Sequence, residues 1–192
     1  MLSLPNSHVV NDVITNGLKL FETARPGLIV IDSSTPDPDM SIAMAARLRS
    51  CGVEMMDGTI SGTSEMFAEK NAIFRVGGTE QAYKACEPIF LAASRGAFYM
   101  GPNGTGANTK LVVNLVLSLN RMALAEGLTL AAKAGLDPAQ ALKVLKQSAA
   151  YSSAMDQKGE RMVRKNFLKP ASTLATSYKD SRLILGLGAK LD

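Results

Sequence analysis

The stretch GPNGTGANTKLVVN, residues 101–114, joins a glycine-rich loop to the start of a long apolar helical pattern. Lys110 and Asn114 are four positions apart, so their side chains project from one side of that helix, about one turn apart. The surrounding apolar residues predict that both are partly buried, and burial disfavours a charged lysine and lowers its pKa. Two interpretations follow. Lys110 is either a general acid and base, or an ordinary lysine whose stem packs on the protein while its ammonium group reaches water.

Upstream of this loop, short apolar runs alternate with helical patterns. The run LIVID (28–32) is typical of a strand that is buried on both faces, and residues 53–58 and 72–78 are further strand candidates. Helical spacing occupies residues 40–52 and resumes after Gly78. Alternating strands and helices predict a parallel sheet with helices on its faces.

Downstream of the loop, the whole pattern is helical. The stretch from Gly106 to Leu136 contains no proline and predicts one long helix. Asp137 and Pro138 then have the residue types of an N-cap and a first helical position. Further helical patterns lie around residues 154–165 and 175–190.

These patterns together predict an α/β fold followed by an all-α part. A partial Rossmann-like parallel sheet, residues 1–105, is joined by the long helix to a helical domain, residues 106–192. The phosphate-cradling pattern GxGxxG does not follow an early strand, so the sequence begins as though within the fold.

The composition favours an ordinary globular protein. The net charge of +4 is unevenly spread: residues 1–109 carry 8 Lys and Arg against 11 Asp and Glu, and residues 110–192 carry 13 against 6. These basic residues are scattered and have no interleaved aromatic residues, which argues against a nucleic-acid groove. The sequence predicts no membrane-spanning helix and no secretory signal, so the expected location is the cytoplasm.

Few side chains suit metal or nucleophilic chemistry. His8 is the only histidine, so neither a zinc cluster nor a Ser-His-Asp arrangement is easily drawn, and no metal is expected. Cys51 and Cys86 lack metal-ligand spacing; they are either free thiols or a disulfide, and a reducing compartment favours thiols.

Two loops at predicted strand ends are further candidates. Ser33-Ser34-Thr35 follows the first strand and forms either a plain turn or a ligand contact. Ser61-Gly62-Thr63-Ser64 follows the second strand, where a glycine and neighbouring hydroxyl groups suit the binding of a carboxylate.

In chain order, these stretches resemble the β-hydroxyacid dehydrogenase family, which includes 3-hydroxyisobutyrate dehydrogenase and tartronate semialdehyde reductase; the resemblance extends to 6-phosphogluconate dehydrogenase-like proteins. The matching motifs are GLIVIDSSTPDP, DGTISGTSEMF, FRVGG, GPNGTGANTKLVVN and FLKPASTLATSYKDSRLILGLGAK. The resemblance implies an oxidoreductase that transfers a hydride between NAD or NADP and a small 3-hydroxy acid.

It also implies roles for particular residues. Lys110 would be the catalytic acid and base, and Asn114 would hold the substrate oxygen. The other implied contacts are with the carboxylate, at Ser61, Gly62 and Thr63, and with the cofactor, at Thr35 and Lys179.

Two departures from the family pattern stand beside this resemblance. Thr63 occupies the position of the second glycine of the loop, and Thr59 that of the usual proline. The chain resembles a family member that lacks the N-terminal part of the cofactor domain and the extreme C-terminus.

The expected partners are a small hydroxy acid or semialdehyde and a second copy of the chain, forming at least a dimer through the helical half. Neither nucleic acid nor membrane is expected. The alternative is a truncated, non-catalytic helical interaction or dimerisation module derived from the same family.

Overall fold

A computed structural model describes residues 1–168 and 173–191. The chain divides into two compact units, Met1–Val112 and Val113–Asp192. The first unit holds a β-sheet with flanking helices, and the described part of the second unit is helical.

The sheet consists of β1 (Ile29–Asp32), β2 (Glu54–Ser61), β3 (Ile73–Gly77) and β4 (Gly96–Gly101), in that order across the sheet. The β1–β2 and β3–β4 pairs are parallel, whereas the β2–β3 pair is antiparallel. A parallel crossover needs a dozen or more residues. The connection from β2 to β3, residues 62–72, is shorter than this, so β3 returns in the opposite direction.

Helices of the first unit lie along the connections between strands. Their bounds are α1 (Ser7–Asp12), α2 (Leu20–Thr23), α3 (Pro38–Arg49), α4 (Ser64–Ala68) and α5 (Glu80–Ala93), and a π-helical turn, Val13–Gly17, follows α1. The Asp37 carboxylate accepts hydrogen bonds from the backbone N–H groups of Asp39 and Met40 and so caps α3. Pro38 occupies the first helical position, where its missing N–H costs nothing.

The two faces of the sheet bury different clusters. One face buries Phe74 and Val76 of β3 in a cluster with Phe90 of α5. The opposite face buries Val30 and Met55 with residues of α1 and α3. Because successive side chains of a strand point to opposite faces, the residues between these positions can be assigned to a face from the register.

The helix α6 (Thr105–Lys133) begins against the sheet. The hydroxyl group of Thr59 donates to the Gly106 carbonyl oxygen at 3.0 Å. A Cβ atom at Gly106 would lie directly against the Asp57 carbonyl oxygen and 2.8 Å from the Arg75 carbonyl oxygen. Only glycine allows the helix backbone to approach the strands this closely.

The second unit contains the rest of α6 followed by α7 (Pro138–Gln147), a π-helical turn (Met155–Gly159), α8 (Glu160–Val163) and α9 (Leu174–Leu191). Its core holds Leu124 and Leu128 of α6 with Leu142 of α7 and Met155. As the sequence predicts, Asp137 caps α7, and its carboxylate accepts from the Ala139 N–H at 3.0 Å.

The predicted fold class is confirmed, with three corrections. The sheet is mixed instead of parallel, because of the short β2–β3 connection. The strand β4 is missing from the expectation, although Phe98 and Tyr99 are typical strand residues. The helix α3 begins at Pro38, before the expected residue 40, because Asp37 supplies its cap.

The border between the two units lies at Val112 and Val113. The first turns of α6 therefore belong to the first unit, held there by the contacts of Gly106 with the strands. The expected functional domains, residues 1–105 and 106–192, stay a prediction.

Within the described residues, α6 is a helix long and apolar enough to cross a membrane when judged by length and composition alone. The core helix of a soluble protein meets the same criterion, so this observation is weak evidence for a membrane span. The expectation that no membrane is a partner stays a prediction.

Candidate active site

The turn after β2 contains the predicted carboxylate-binding residues. Ser61 ends β2, and Gly62 follows it with φ of +146°, a backbone conformation that favours glycine. A Cβ atom at Gly62 would lie 3.0 Å from the Cβ atom of Ala72. The Thr63 hydroxyl oxygen accepts from the Met66 N–H at 3.2 Å and so caps α4. The turn is thus a glycine corner between a strand and a short helix, with the half-buried Ser61 at its start.

Lys110 lies beside this turn. Its Nζ atom donates a hydrogen bond of 2.6 Å to the Ile60 carbonyl oxygen, one residue before Ser61. The side chain is half-buried. The amine is therefore held at the end of β2, next to the predicted carboxylate-binding residues, and is not directed into open solvent.

A buried aspartate fixes the start of the helix that carries Lys110. Both oxygens of the Asp57 carboxylate accept backbone N–H groups, Oδ1 from Gly104 at 2.9 Å and Oδ2 from Ala107 at 2.8 Å. Burial raises the pKa of the Asp57 carboxyl above its ordinary value, although these two N–H donors act in the opposite direction. Asp57 thereby satisfies donors at the start of α6 that the helix itself leaves unpaired.

Asp57 is a positioning residue that the sequence analysis did not assign. The available signal is a single acidic residue inside the otherwise apolar strand pattern VEMMDG. A buried carboxylate requires hydrogen-bond donors, but which backbone groups supply them depends on where the chain returns 47 and 50 residues later.

The Ser33-Ser34-Thr35 loop follows β1. The Ser33 hydroxyl donates to the Leu2 carbonyl oxygen at 2.7 Å, and the Ser34 hydroxyl oxygen accepts from the Leu4 N–H at 2.9 Å. These two hydroxyl groups therefore fasten the N-terminal segment to the sheet. Thr35 is half-buried at the same end of the strand.

The second unit joins Asn114 and Lys179 through one carboxylate. The Asn114 Nδ2 atom donates to Asp180 Oδ2 at 2.9 Å, and the Lys179 Nζ atom lies 3.3 Å from Asp180 Oδ1. The sequence motifs did not assign a role to Asp180. The structure thus brings Lys110 to the Ser61 turn within the first unit, and Asn114 to the Lys179–Asp180 pair within the second.

The end of β1 bears on the predicted cofactor contact at Thr35. The carboxyl ends of parallel strands are where open α/β sheets bind nucleotides, and Thr35 lies at such an end. The sequence contains no GxGxxG turn that would receive the pyrophosphate. Among residues 1–168 and 173–191, no three His, Cys, Asp or Glu side chains form a group that could hold a metal ion.

Comparisons with known proteins define the class. Residues 1–101 match the family described as the NAD binding domain of 6-phosphogluconate dehydrogenase. Residues 104–192 match the family described as NAD-binding of NADP-dependent 3-hydroxyisobutyrate dehydrogenase. A Rossmann-like α/β unit followed by a helical unit, with both parts matching NAD-binding families, is the architecture of a nicotinamide-dependent dehydrogenase.

Three individual relatives are similar to the chain over most of its length. The chain is 26% identical over 186 residues to 2-(hydroxymethyl)glutarate dehydrogenase from Eubacterium barkeri, covering 97% of the chain and 62% of that protein. It is 32% identical over 157 residues to glyoxylate/succinic semialdehyde reductase 2 from Arabidopsis thaliana, covering 82% and 44%. It is also 30% identical over 177 residues to the human cytokine-like nuclear factor N-PAC, covering 92% and 32%.

Solved structures show the same fold. The 3-hydroxyisobutyrate dehydrogenase from Mycobacterium tuberculosis superposes with a TM-score of 0.88 at 26% identity, covering 98% of this chain and 66% of that one. The enzyme from Salmonella typhimurium gives a TM-score of 0.86 at 24% identity, with the same coverage. The chain belongs to the β-hydroxyacid dehydrogenase family, whose cofactor is NAD or NADP, as the sequence motifs predicted. It spans about two thirds or less of the length of these relatives.

Proposed function

We propose that the protein transfers a hydride between NAD or NADP and a small 3-hydroxy acid of the 3-hydroxyisobutyrate kind, with Lys110 as general acid and base. The observation that best supports this proposal is the 2.6 Å hydrogen bond from Lys110 Nζ to the Ile60 carbonyl oxygen. This bond holds the amine beside the residues that would bind the substrate carboxylate.

The proposed reaction changes the bonds of one substrate atom, the carbinol carbon, and of its oxygen. In oxidation, the carbinol C–H bond would break, and a nicotinamide held beside Thr35 would supply the acceptor for the hydrogen and its electron pair. The O–H proton passes to the neutral form of Lys110, and the C–O bond becomes a carbonyl. In reduction, the Lys110 ammonium group returns this proton to the oxygen.

The carboxylate would bind at the turn after β2. The Ser61 hydroxyl group has no hydrogen-bond partner among the described residues and is available to donate to a carboxylate oxygen. Backbone N–H groups of the turn would add further hydrogen-bond donors to the anion. The Thr63 hydroxyl oxygen already accepts from Met66, so Thr63 would contribute its backbone N–H or its hydroxyl hydrogen.

The roles proposed for the second unit follow from the family. Asn114 would hold the substrate oxygen, and its bond to Asp180 supports this role because it fixes the orientation of the amide. Lys179 would lie near the cofactor, and Thr35 of the first unit would lie beside the nicotinamide ring.

The proposal extends to organisation and partners. Residues 1–105 would form part of the dinucleotide-binding domain, and residues 106–192 a helical domain for substrate binding and dimerisation. The protein would act in the cytoplasm as at least a homodimer, with neither nucleic acid nor membrane as a partner.

One assay tests the proposed function. The chain is mixed with NADH or NADPH, and the fluorescence of the cofactor reports its binding. Loss of NAD(P)H absorbance then follows hydride transfer to a panel of semialdehydes. The panel includes methylmalonate semialdehyde, succinic semialdehyde and the semialdehyde of 2-(hydroxymethyl)glutarate. The proposal expects saturable cofactor binding and turnover that requires Lys110.

A non-catalytic interaction module is the second candidate. Exposed apolar side chains on α6 of the second unit favour it: Leu115, Val116, Leu119 and Met122 are each at least 41% exposed. Contiguous exposed apolar surface often marks a protein interface. Failure to bind either cofactor at millimolar concentration, together with self-association, would support the module and contradict the enzyme.

A further inference from the structure

Arg75 is a buried charge to which the proposed mechanism gives no role. The residue is 2% exposed, and its three guanidinium nitrogens have no hydrogen-bond partner within residues 1–168 and 173–191. Arginine stays protonated in proteins and offers five N–H donors. A buried charge without a counter-charge is costly, so these donors require an acceptor, and an anionic one compensates them best.

The register places Arg75 on the face of the sheet that carries the candidate site. Its neighbours on β3, Phe74 and Val76, are buried against α5, so the Arg75 side chain points to the opposite face. Arg75 is the direct cross-strand partner of Thr59. The Thr59 hydroxyl group donates to the Gly106 carbonyl oxygen, so the first turn of α6 lies on this same face.

Arg75 is also close to the proposed carboxylate turn. Ser61 pairs with Ile73, two residues before Arg75 on β3. Diagonal cross-strand neighbours of this kind lie about 7–8 Å apart. Ser61 and Arg75 therefore project from one face as two separate sets of donors, and the amine of Lys110 is held between Thr59 and Ser61 along β2 at the Ile60 carbonyl.

We propose that Arg75 binds a second carboxylate of the substrate, so that the protein is selective for dicarboxylic hydroxy acids or semialdehydes. This inference rests on the proposed function, in which the turn at Ser61 binds the first carboxylate. A guanidinium can form two parallel hydrogen bonds with a carboxylate, which gives both affinity and orientation. A short dicarboxylate would contact both sets of donors and place its carbinol carbon near Lys110.

A matched pair of probes tests the second carboxylate. Glutarate and its monoamide have the same skeleton, but the monoamide carries one charge instead of two. Titration calorimetry of the whole chain would measure both, with inorganic phosphate as a third probe. Wild-type protein should bind glutarate about tenfold more tightly than the monoamide or phosphate, which corresponds to about 1.4 kcal/mol.

Variants at Arg75 and Arg95 test whether Arg75 causes the preference for glutarate. Arg75→Met should reduce the glutarate preference to less than twofold, because it should lower the affinity for glutarate more than the affinity for the monoamide. Arg75→Lys keeps the charge but not the bidentate fork and should retain part of the preference. Arg95→Met removes an exposed arginine just before β4 and should leave the preference intact. Circular dichroism with thermal melting establishes that each variant is folded.

The outcomes separate this inference from the proposed function. Equal binding of glutarate and monoamide, or a preference that survives in folded Arg75→Met, overturns the inference and leaves the enzyme intact. Phosphate binding as tight as glutarate binding also overturns it, because the site would then be a general anion site. If the wild-type protein binds no carboxylate at all, both the proposed function and the inference are contradicted. If it turns over only monocarboxylic semialdehydes, only the inference is contradicted.

Discussion

Two buried charges on one face of the sheet, Asp57 and Arg75, are compensated in different ways. The Asp57 carboxylate accepts two backbone N–H groups at the start of α6. The Arg75 guanidinium has no such partner in the described part of the chain, and burial lowers its pKa to about 10. Asp57 therefore serves the fold, whereas Arg75 is the residue that we propose binds a ligand carboxylate.

The pH dependence of stability should identify the Asp57 contribution. A carboxyl whose pKa is raised on folding contributes stability that is complete below its ordinary value of 3.8 and is lost as pH rises through the higher value in the folded protein. Asp57→Asn removes this titration. The free energy of unfolding of wild type minus that of Asp57→Asn should therefore fall as pH rises from 3 to neutrality. Urea melts at several pH values measure it, and a difference that grows with pH would contradict the assignment.

Replacing Arg75 should stabilise the ligand-free protein. Methionine fills similar space without a charge, so Arg75→Met should raise the free energy of unfolding by about 1–3 kcal/mol, the cost of an unsatisfied buried polar group. Denaturant melts would measure this gain, with Arg95→Met as the exposed control. A loss of stability in Arg75→Met would show that the guanidinium has a structural partner.

At the scale of elements, α6 joins the sheet to the helical unit, and most of its features were predicted from the sequence. The period of its apolar residues, the absence of proline and the glycine loop before it predicted a long helix, and β1, β2 and β3 were predicted from β-branched and apolar runs. The strand β4 was missed because its exposed edge position leaves no clear alternation.

The directions of the strands and the hydrogen-bond partners of distant residues were harder to predict. The antiparallel return of β3 depends on the length of one connection, and a period-2 pattern does not encode strand direction. The Lys110–Ile60, Asn114–Asp180 and Asp57–Ala107 bonds join residues 50, 66 and 50 positions apart. Local spacing can place such residues on a face, but it cannot select their distant partners.

The attachment of α6 to the sheet can be tested with one substitution at two glycines. Gly106→Ala would push a methyl group against the Asp57 and Arg75 carbonyl oxygens and should cost about 1–3 kcal/mol of stability. Gly127→Ala, on the same helix, meets nothing within 4 Å and should add about 0.5–1 kcal/mol through its better helix propensity. Equal effects in thermal melts would contradict the close approach at Gly106.

At the scale of the whole molecule, the exposed apolar residues of α6 support the proposed self-association. Paired substitution of Val116 and Leu119 by glutamate should convert a dimer to a monomer in sedimentation velocity experiments, because charged groups would face the interface. Glu126→Gln on the same helix is the control and should remain a dimer. A monomeric wild type would contradict the dimer proposal.

The most direct test of the proposed function compares hydride transfer by wild type, Lys110→Met and Lys133→Met. Loss of NADPH absorbance with a saturating semialdehyde gives kcat for each protein. Removing a general acid and base should lower kcat by about 10²–10⁴-fold in Lys110→Met. Lys133→Met, exposed at the far end of α6, should match wild type. Turnover by Lys110→Met at the wild-type rate would contradict the role of Lys110.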